Sequence, residues 1–213
     1  MHVEFLVEEP SAEAALRNLA PKILRPGDTF DVHAFQNRHE LLHRLPNGLK
    51  GYSYWLPEDW RIVVLVDQDS DDCRVLKAQL ESAAQRAGLV TQSSSRQGED
   101  FKVLNRVAVE ELEAWFFGDP EAVVAACPRV LRSFSAAARY RDSDSIKGGT
   151  WEGLERVLQK AGYYRSGLPK ITAARLISAH MNPDRNKSRS FRVFRNGLIR
   201  LSQRSAKACP TLP

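Results

Sequence analysis

The 213-residue chain is long enough for one domain with an appended subdomain, and its 43% of hydrophobic residues can form a core. No apolar run approaches the roughly 18–20 residues of a membrane span, and no basic segment followed by a long apolar stretch marks a signal peptide. The cysteines, Cys73, Cys127 and Cys209, are far apart and lack CxxC spacing, which disfavours a disulfide framework or a zinc ribbon. We therefore expect a cytoplasmic protein.

The net charge of +5 conceals two oppositely charged parts of the chain. Residues 1–120 contain 13 Lys and Arg against 20 Asp and Glu, whereas residues 121–213 contain 18 against 6. An acidic part beside a basic one fits a metal-binding centre next to a surface for a polyanion such as nucleic acid. Solvated helix faces without a ligand are the alternative.

Strands and helices are predicted to alternate from the start of the chain. His2–Val7 is a short, mostly apolar run typical of a strand, and a helix with Ser11 as its N-cap is predicted to follow. Residues 29–35 form a second predicted strand. The next leucines have helical spacing, and Pro46-Asn47-Gly48 is predicted to break their helix.

RIVVLVDQD contains the clearest strand. Its continuous apolar run, residues 62–66, is typical of a strand buried on both faces of a parallel sheet. A helix is predicted from about Ser70 to a C-cap at Gly88, then a strand to about Val109 and a short helix capped by Asp119. This alternation predicts an α/β fold with a Rossmann-like, mostly parallel sheet flanked by helices.

The alternation of predicted strands and helices ends near Pro128. A loop is predicted over RSFSAAARYRDSDSIKGG, followed by helices in TWEGLERVLQKAG, LPKITAARLISAHM and SFRVFRNGLIRLSQ. We therefore predict an α/β domain over residues 1–127 and a C-terminal basic helical subdomain, residues 128–213, packed on it.

Acidic side chains follow three of the predicted strands, at the edge where open α/β sheets bind ligands. In an extended D-x-D segment, Asp67 and Asp69 point to the same side and can converge on a hard cation such as Mg²⁺ or Mn²⁺. The acidic residues at the three strand ends are Glu8 and Glu9, Asp67 and Asp69, and Glu110, Glu111 and Glu113.

Each acidic group also has a simpler explanation. Residues 69–72 can cap a helix, although capping does not account for Asp67 at the end of a buried strand. Glu8 precedes a helix, and Glu111 and Glu113 can be surface residues. The three groups together are harder to explain in this way than any one of them.

Two of these segments carry a resemblance to a known domain. FLVEEPSAEAAL resembles the first motif of Toprim domains, and VVLVDQDSD resembles their D-x-D motif. RVAVEELEAWFFGD, GGTWEGLERVLQKAGY and NKSRSFRVFRNGL are similar to segments of a bacterial Toprim-like family of unknown function. That family is related to OLD-type, defence-associated Toprim nucleases, and some members are encoded beside AAA-type ATPases.

The resemblance implies roles for individual residues. Glu8 matches the Toprim glutamate, a general acid/base or metal ligand, and Asp67 and Asp69 match the metal-binding pair. The glycine that usually follows the glutamate is Glu9 here, which leaves open whether Glu8 or Glu9 faces the metal. The predicted catalytic residues are Glu8, Asp67 and Asp69, and the metal ligands add Glu111 and Glu113.

The basic part supplies candidates for nucleic-acid binding. Lys147 and two glycines precede a helix that Thr150 can cap, which suits a phosphate, although the spacing of a P-loop is absent. In NPDRNKSRSFRVFR, cations and hydroxyls alternate with Phe191 and Phe194, which we expect in the core. The predicted contacts are Lys147, Arg185, Lys187, Arg189, Arg192 and Arg195.

The favoured function is a nuclease that uses Mg²⁺ or Mn²⁺ to hydrolyse DNA or RNA, in phage defence with an AAA/ABC-type ATPase partner. A non-catalytic Toprim-like subunit that binds nucleic acid or the ATPase is the alternative. A D-x-D phosphatase is disfavoured because the motif follows a later strand, and a sugar transferase because of the basic C-terminal part. No membrane contact is expected, and a homodimer is left open.

Overall fold

The structure, a computed structural model, describes residues 1–96 and 99–205. Cys209 and the end of the predicted subdomain, residues 206–213, lie outside the described residues. Across the described part of the chain, no helix is both long enough and apolar enough to pass through a bilayer.

Four parallel strands form one sheet in the order β2-β1-β3-β4, which confirms the predicted Rossmann-like α/β fold. Every residue of the central strand β3 after Trp60 is buried, as its continuous apolar run predicts. The strands are β1 (His2–Val7), β2 (Thr29–Ala34), β3 (Trp60–Asp67) and β4 (Val103–Ala108).

Three helices connect the strands: α1 (Pro10–Ile23), α2 (Arg38–Trp55) and α3 (Cys73–Arg86). The prediction that Ser11 caps α1 was wrong, because Pro10 takes the first helical position and Ser11 lies inside the helix. Helix α3 begins after Asp72, whose side chain accepts hydrogen bonds from the backbone N–H groups of the first turn.

Helix α2 also departs from the prediction, because it continues through Pro46-Asn47-Gly48 to Trp55. Leu41, Leu45 and Leu49 lie four residues apart on one buried face and pack in one cluster with apolar residues of the sheet. Burial of this leucine face outweighs the cost of proline and glycine inside a helix.

The remaining helices are α4 (Glu113–Phe117), α5 (Pro120–Ala126), α6 (Thr150–Lys160), α7 (Lys170–His180) and α8 (Arg189–Ser205). The three predicted C-terminal helices correspond to α6, α7 and α8. Two short 3₁₀ helices, Arg132–Ala136 and Ala138–Tyr140, lie in the predicted loop. Asp119 precedes α5 but makes no capping bond, because its carboxylate accepts from Asn182 N and Arg185 Nε.

Trp115 joins the helical part to the sheet. Its ring packs against Phe191 and Phe194, with centroids 5.1 and 4.9 Å away, and its Nε1 donates to Ser190 Oγ at 3.0 Å. Both phenylalanines are buried, which confirms their expected place in the core. On the other side, Lys22 Nζ of α1 donates to carbonyl oxygens at the C-terminus of α7.

We expect Trp115→Ala to lower the free energy of unfolding by about 3–5 kcal/mol, because it leaves a cavity under α8. Urea denaturation followed by circular dichroism measures this loss. Val193→Ala, in α8 and 49% exposed, is the control, with an expected change within about 0.5 kcal/mol. Equal losses in the two variants would contradict a structural role for Trp115.

Candidate metal centre and nucleic-acid surface

Two buried carboxylates meet at the carboxyl edge of the sheet. Glu8 follows β1 and is 7% exposed, and Asp67 ends β3 and is 6% exposed. Because the two strands are neighbours in parallel register, Glu8 Oε2 accepts a hydrogen bond from Asp67 N at 3.0 Å. Glu9 is half-buried and pairs with the Ser11 hydroxyl instead. Of the two glutamates, Glu8 is therefore the one that faces Asp67.

Glu113, the first residue of α4, adds a third buried carboxylate. It is 1% exposed, so the alternative of a surface residue is wrong for Glu113. Within the described chain, Glu113 Oε2 is buried and has no hydrogen-bond partner. A buried oxygen without a hydrogen-bond partner lowers the stability of the folded state, and either a proton on Glu113 or a bound cation would remove this cost.

Burial perturbs the ionisation of all three groups. It raises the pKa of Glu8 to about 7, against the hydrogen bond from Asp67 N, and the charge of Asp69 adds to the rise. Burial also raises the pKa of Glu113 to about 7. It raises the pKa of Asp67 well above its usual value, and the negative charges of Glu8 and Glu113 add to that rise. Perturbed carboxyls of this kind cluster at functional sites.

Lys170 is the nearby cation that the sequence analysis missed. Its Nζ lies 4.0 Å from Glu111 Oε1 and 5.1 Å from the centre of the Trp151 ring. Burial lowers the pKa of Lys170, but Glu113, Glu9 and Glu111 more than compensate, so the pKa is raised. The signal available was a lysine at the N-terminus of a predicted helix, where the helix dipole disfavours a cation.

Glu111 has a structural partner. Its Oε2 accepts from Thr150 Oγ1 and from Trp151 N, each at 2.8 Å. Glu111 therefore caps the N-terminus of α6, where Thr150 was expected to act as the cap. The same bonds occupy the helix terminus that the sequence suggested for a phosphate.

Asp69 lies at the rim of the centre. Arg38 Nη1 donates to Asp69 Oδ2 at 3.0 Å and to the Asp67 carbonyl oxygen at 2.9 Å, and Arg38 Nη2 lies 2.6 Å from Asp71 Oδ2. Asp69 has a positive φ of 48°, so the chain turns at this residue and the D-x-D segment is not extended as the prediction assumed. Asp69 also lines a cleft of about 650 Å³ together with Glu8 and Arg38.

The carboxylates of this centre do not converge on one point. Among the described residues, no three of them bring ligand atoms within 4.8 Å of one another. Repulsion between like charges favours such spacing when nothing positive lies between them. The donor set still fits a hard divalent cation, because it consists of carboxylate oxygens and includes the unpartnered Glu113 Oε2.

The sequence also contains an HExxH motif, His39-Glu40-Leu41-Leu42-His43, the pattern that metalloproteases use to bind zinc. Both histidines are exposed on α2, with ring centroids 6.4 Å apart. Glu40 accepts from Gln36 N at 2.8 Å, while its own N–H donates to the side chain of the N-cap Asn37, so Glu40 is engaged in the N-terminus of α2. Among the described residues, no third ligand joins the pair, so the motif does not indicate a metalloprotease.

The predicted nucleic-acid contacts fall into two groups. Arg185 pairs with Asp119, and Arg195 pairs with Asp184, so part of their charge is neutralised within the protein. The other four have exposed side chains and form no ion pair within the described chain: Lys147, Lys187, Arg189 and Arg192.

A basic cavity of about 810 Å³ lies beside the 3₁₀ helices and was not predicted. Phe134 and Tyr140 contribute aromatic surface to it. Among the described residues no acidic side chain lines it, and its cations are Arg129, Arg139, Arg156 and Lys160. Cations beside aromatic rings suit a nucleic-acid strand.

Comparison with known proteins gives a family and a fold. The model of a family described as "Domain of unknown function (DUF4276)" matches residues 7–199. No curated protein matches the chain. A solved structure, the C-terminal region of the Burkholderia pseudomallei OLD protein, is similar with a TM-score of 0.50 and 14% identity, over 97% of this chain and 98% of that one. This likeness concerns the fold and fits the expected relationship to OLD-type proteins, whereas the Toprim assignment stays a prediction.

We expect the metal-free protein to lose stability as pH rises from 4.5 to about 7. In this range the folded state keeps protons on Glu8 and Glu113 that the unfolded chain has released, so the free energy of unfolding falls with pH. Glu113→Gln removes one of these groups and should make the dependence shallower. Thermal unfolding in EDTA at a series of pH values measures it.

The matched control for this prediction is Glu152→Gln, at an exposed position of α6. It should leave the pH dependence of the unfolding temperature as in the wild type. An unchanged dependence in Glu113→Gln would contradict the assignment of Glu113 as a protonated, buried acid.

Proposed function

The chain belongs to the family described as Domain of unknown function (DUF4276), and we propose that it is an Mg²⁺- or Mn²⁺-dependent nuclease acting on DNA or RNA. The observation that carries the proposal is the meeting of buried Glu8, Asp67 and Glu113 at the carboxyl edge of a parallel sheet. The resemblance to Toprim motifs and the fold shared with the C-terminal region of an OLD protein add support.

Glu8, Asp67 and Glu113 would hold a cation, with Asp69 and Glu111 as further ligands from the rim. When bound, a divalent ion supplies a water of lowered pKa and offsets negative charge on the phosphodiester. Loss of protons from Glu8 and Glu113 would accompany binding, because ligating carboxylates are deprotonated.

Glu8 is suited to move a proton. In the metal-free protein its pKa of about 7 leaves Glu8 in both protonation states near neutral pH. Once a bound cation has displaced its proton, the carboxylate of Glu8 would be free to accept a proton at the site. The hydrogen bond from Asp67 N fixes the position of Oε2. Lys170 stays charged beside Glu111, and its Nζ can pair with a phosphate oxygen.

The exposed cations would hold the nucleic-acid backbone. Lys187, Arg189 and Arg192 lie within six residues of chain around the start of α8, and Lys147 precedes α6. Such contacts position a strand through its phosphates without reading its sequence. An AAA/ABC-type ATPase partner and a role in phage defence are proposed from the family resemblance.

A non-catalytic subunit that binds nucleic acid is the second candidate. It is favoured by the spacing of the carboxylates, of which no three bring ligand atoms within 4.8 Å of one another among the described residues. The two candidates differ in whether the bound strand is cut.

We expect the purified chain to cleave plasmid DNA or RNA with Mn²⁺, and EDTA to abolish the cleavage. Asp67→Asn should lower the rate by more than the roughly 10–100-fold that loss of an outer-shell partner costs at metal sites. Asp59→Asn, exposed and just before the other end of β3, is the control and should keep the wild-type rate. Binding without any cleavage, also with an ATPase added, would favour the non-catalytic subunit.

We also expect the double variant Arg189→Ala/Arg192→Ala to bind nucleic acid more weakly in EDTA. Removing two phosphate contacts should reduce the slope of log affinity against log salt by about 2. Fluorescence anisotropy with labelled oligonucleotides at several salt concentrations measures the slope. Arg86→Ala, exposed at the end of α3, is the control, and an equal loss there would contradict a specific surface on α8.

A further inference from the structure

A second group of metal-ligating side chains lies at the amino-terminal end of the sheet. In the parallel register of β1 and β2, Glu4 pairs with Asp31, and His2 and His33 lie two residues from them. Alternate residues of a strand face the same side, so all four side chains lie on one face. Glu8 lies six residues along the chain from His2, about 20 Å away at the rise of a strand. This group is therefore separate from the acidic centre.

The spacing of the donor atoms fits a tetrahedral metal ion. His2 Nε2 lies 3.2 Å from Glu4 Oε1 and 3.7 Å from Asp31 Oδ2, and one ligand atom from each of the three residues lies within 4.8 Å of the others. Zinc bonds of about 2.0–2.2 Å imply neighbouring ligand atoms roughly 3.4 Å apart. In contrast to the carboxylates of the acidic centre, these three donors lie close enough together for one ion to reach them all.

His33 lies beside this group of three and pairs with Glu4. Its Nε2 lies 2.5 Å from Glu4 Oε2, so both oxygens of this 6% exposed glutamate face an imidazole nitrogen. Two imidazoles and two carboxylates are a borderline donor set that suits Zn²⁺ and is unlike the oxygen shell of Mg²⁺. With neutral imidazoles, the two carboxylates carry the charge that a dication balances.

Neighbouring side chains hold His2 and Glu4 in position. His2 Nδ1 lies 2.8 Å from Thr29 Oγ1, which can accept a hydrogen bond from Nδ1–H and so leave the lone pair of Nε2 for a metal. The Tyr52 hydroxyl donates to Glu4 Oε2 at 3.4 Å. The His2 ring packs on Trp60, with centroids 4.1 Å apart. Metal-binding histidines commonly have such a partner on the second nitrogen.

We propose that His2, Glu4, Asp31 and His33 form a Zn²⁺ site that ties the edge strand β2 to β1. Glu4 and His2 supply the buried half of the site, and Asp31 and His33 supply the exposed half. An edge strand has backbone groups without a strand partner on one side, and a metal that spans the two strands holds it in register. The role is structural and does not depend on nuclease activity.

The test is calorimetric titration of the tag-free, EDTA-treated full chain with Zn²⁺, in parallel with thermal unfolding. We expect one tight site that raises the unfolding temperature. His2→Gln/His33→Gln should weaken this binding on the order of 100-fold or more and remove the thermal shift. Asp31→Asn, at an exposed position where folding is not in question, should also weaken it.

Two controls separate this site from other zinc ligands in the chain. Asp67→Asn disables the acidic centre, and His39→Gln/His43→Gln removes the exposed pair on α2; both should retain the tight site. Co²⁺ in place of Zn²⁺ should give the visible absorption of a four-coordinate ion and quench tryptophan fluorescence through Trp60. Wild-type affinity in His2→Gln/His33→Gln and in Asp31→Asn, or loss of the tight site in either control, would overturn the proposal.

Discussion

The burial of three carboxylates at one edge of the sheet is the constraint to which the surrounding structure responds. β1 and β3 are covered on both faces, so the residues that end them are withdrawn from water even when they are acidic. The hydrogen bond that Glu8 accepts from the backbone of Asp67 reduces the free-energy cost of burying its carboxyl group. Glu113, in contrast, keeps one oxygen without a partner in the described chain. Such a cluster needs protons or cations, and those present at its border are Arg38 and Lys170.

Much of the fold could be predicted because its signals are local. The β-branched run of β3 and the alternation of strands and helices identify the sheet, and the strand ends then bring Glu8 and Asp67 together. What could not be predicted depends on contacts between distant segments. The α2 helix passes through Pro46 because its leucines pack on the sheet, and Lys170 joins the acids only because α7 packs against α1. Contacts between segments that are far apart in the chain leave no periodic pattern in the sequence.

The uneven charge of the sequence is partly cancelled inside the folded chain. Arg185 pairs with Asp119 of the acidic part, Arg195 pairs with Asp184 of the basic part, and Lys170 faces the acidic centre. The basic surface is therefore narrower than the composition suggests and is concentrated near the start of α8 and around the cavity beside the 3₁₀ helices. The net charge of the basic part predicts a polyanionic partner, and the ion pairs determine which cationic side chains stay available to bind one.

The contacts of Glu111 bear on how many ions such a centre can hold. One of its oxygens is committed to the first turn of α6, and the other has the ammonium group of Lys170 as its nearest cation. A second ion placed there would displace Lys170 from its carboxylate partner and set two cations against each other. For the metal centre that we propose, this contact favours a single ion beside Lys170, whose positive charge is covalently attached and cannot be removed by a chelator.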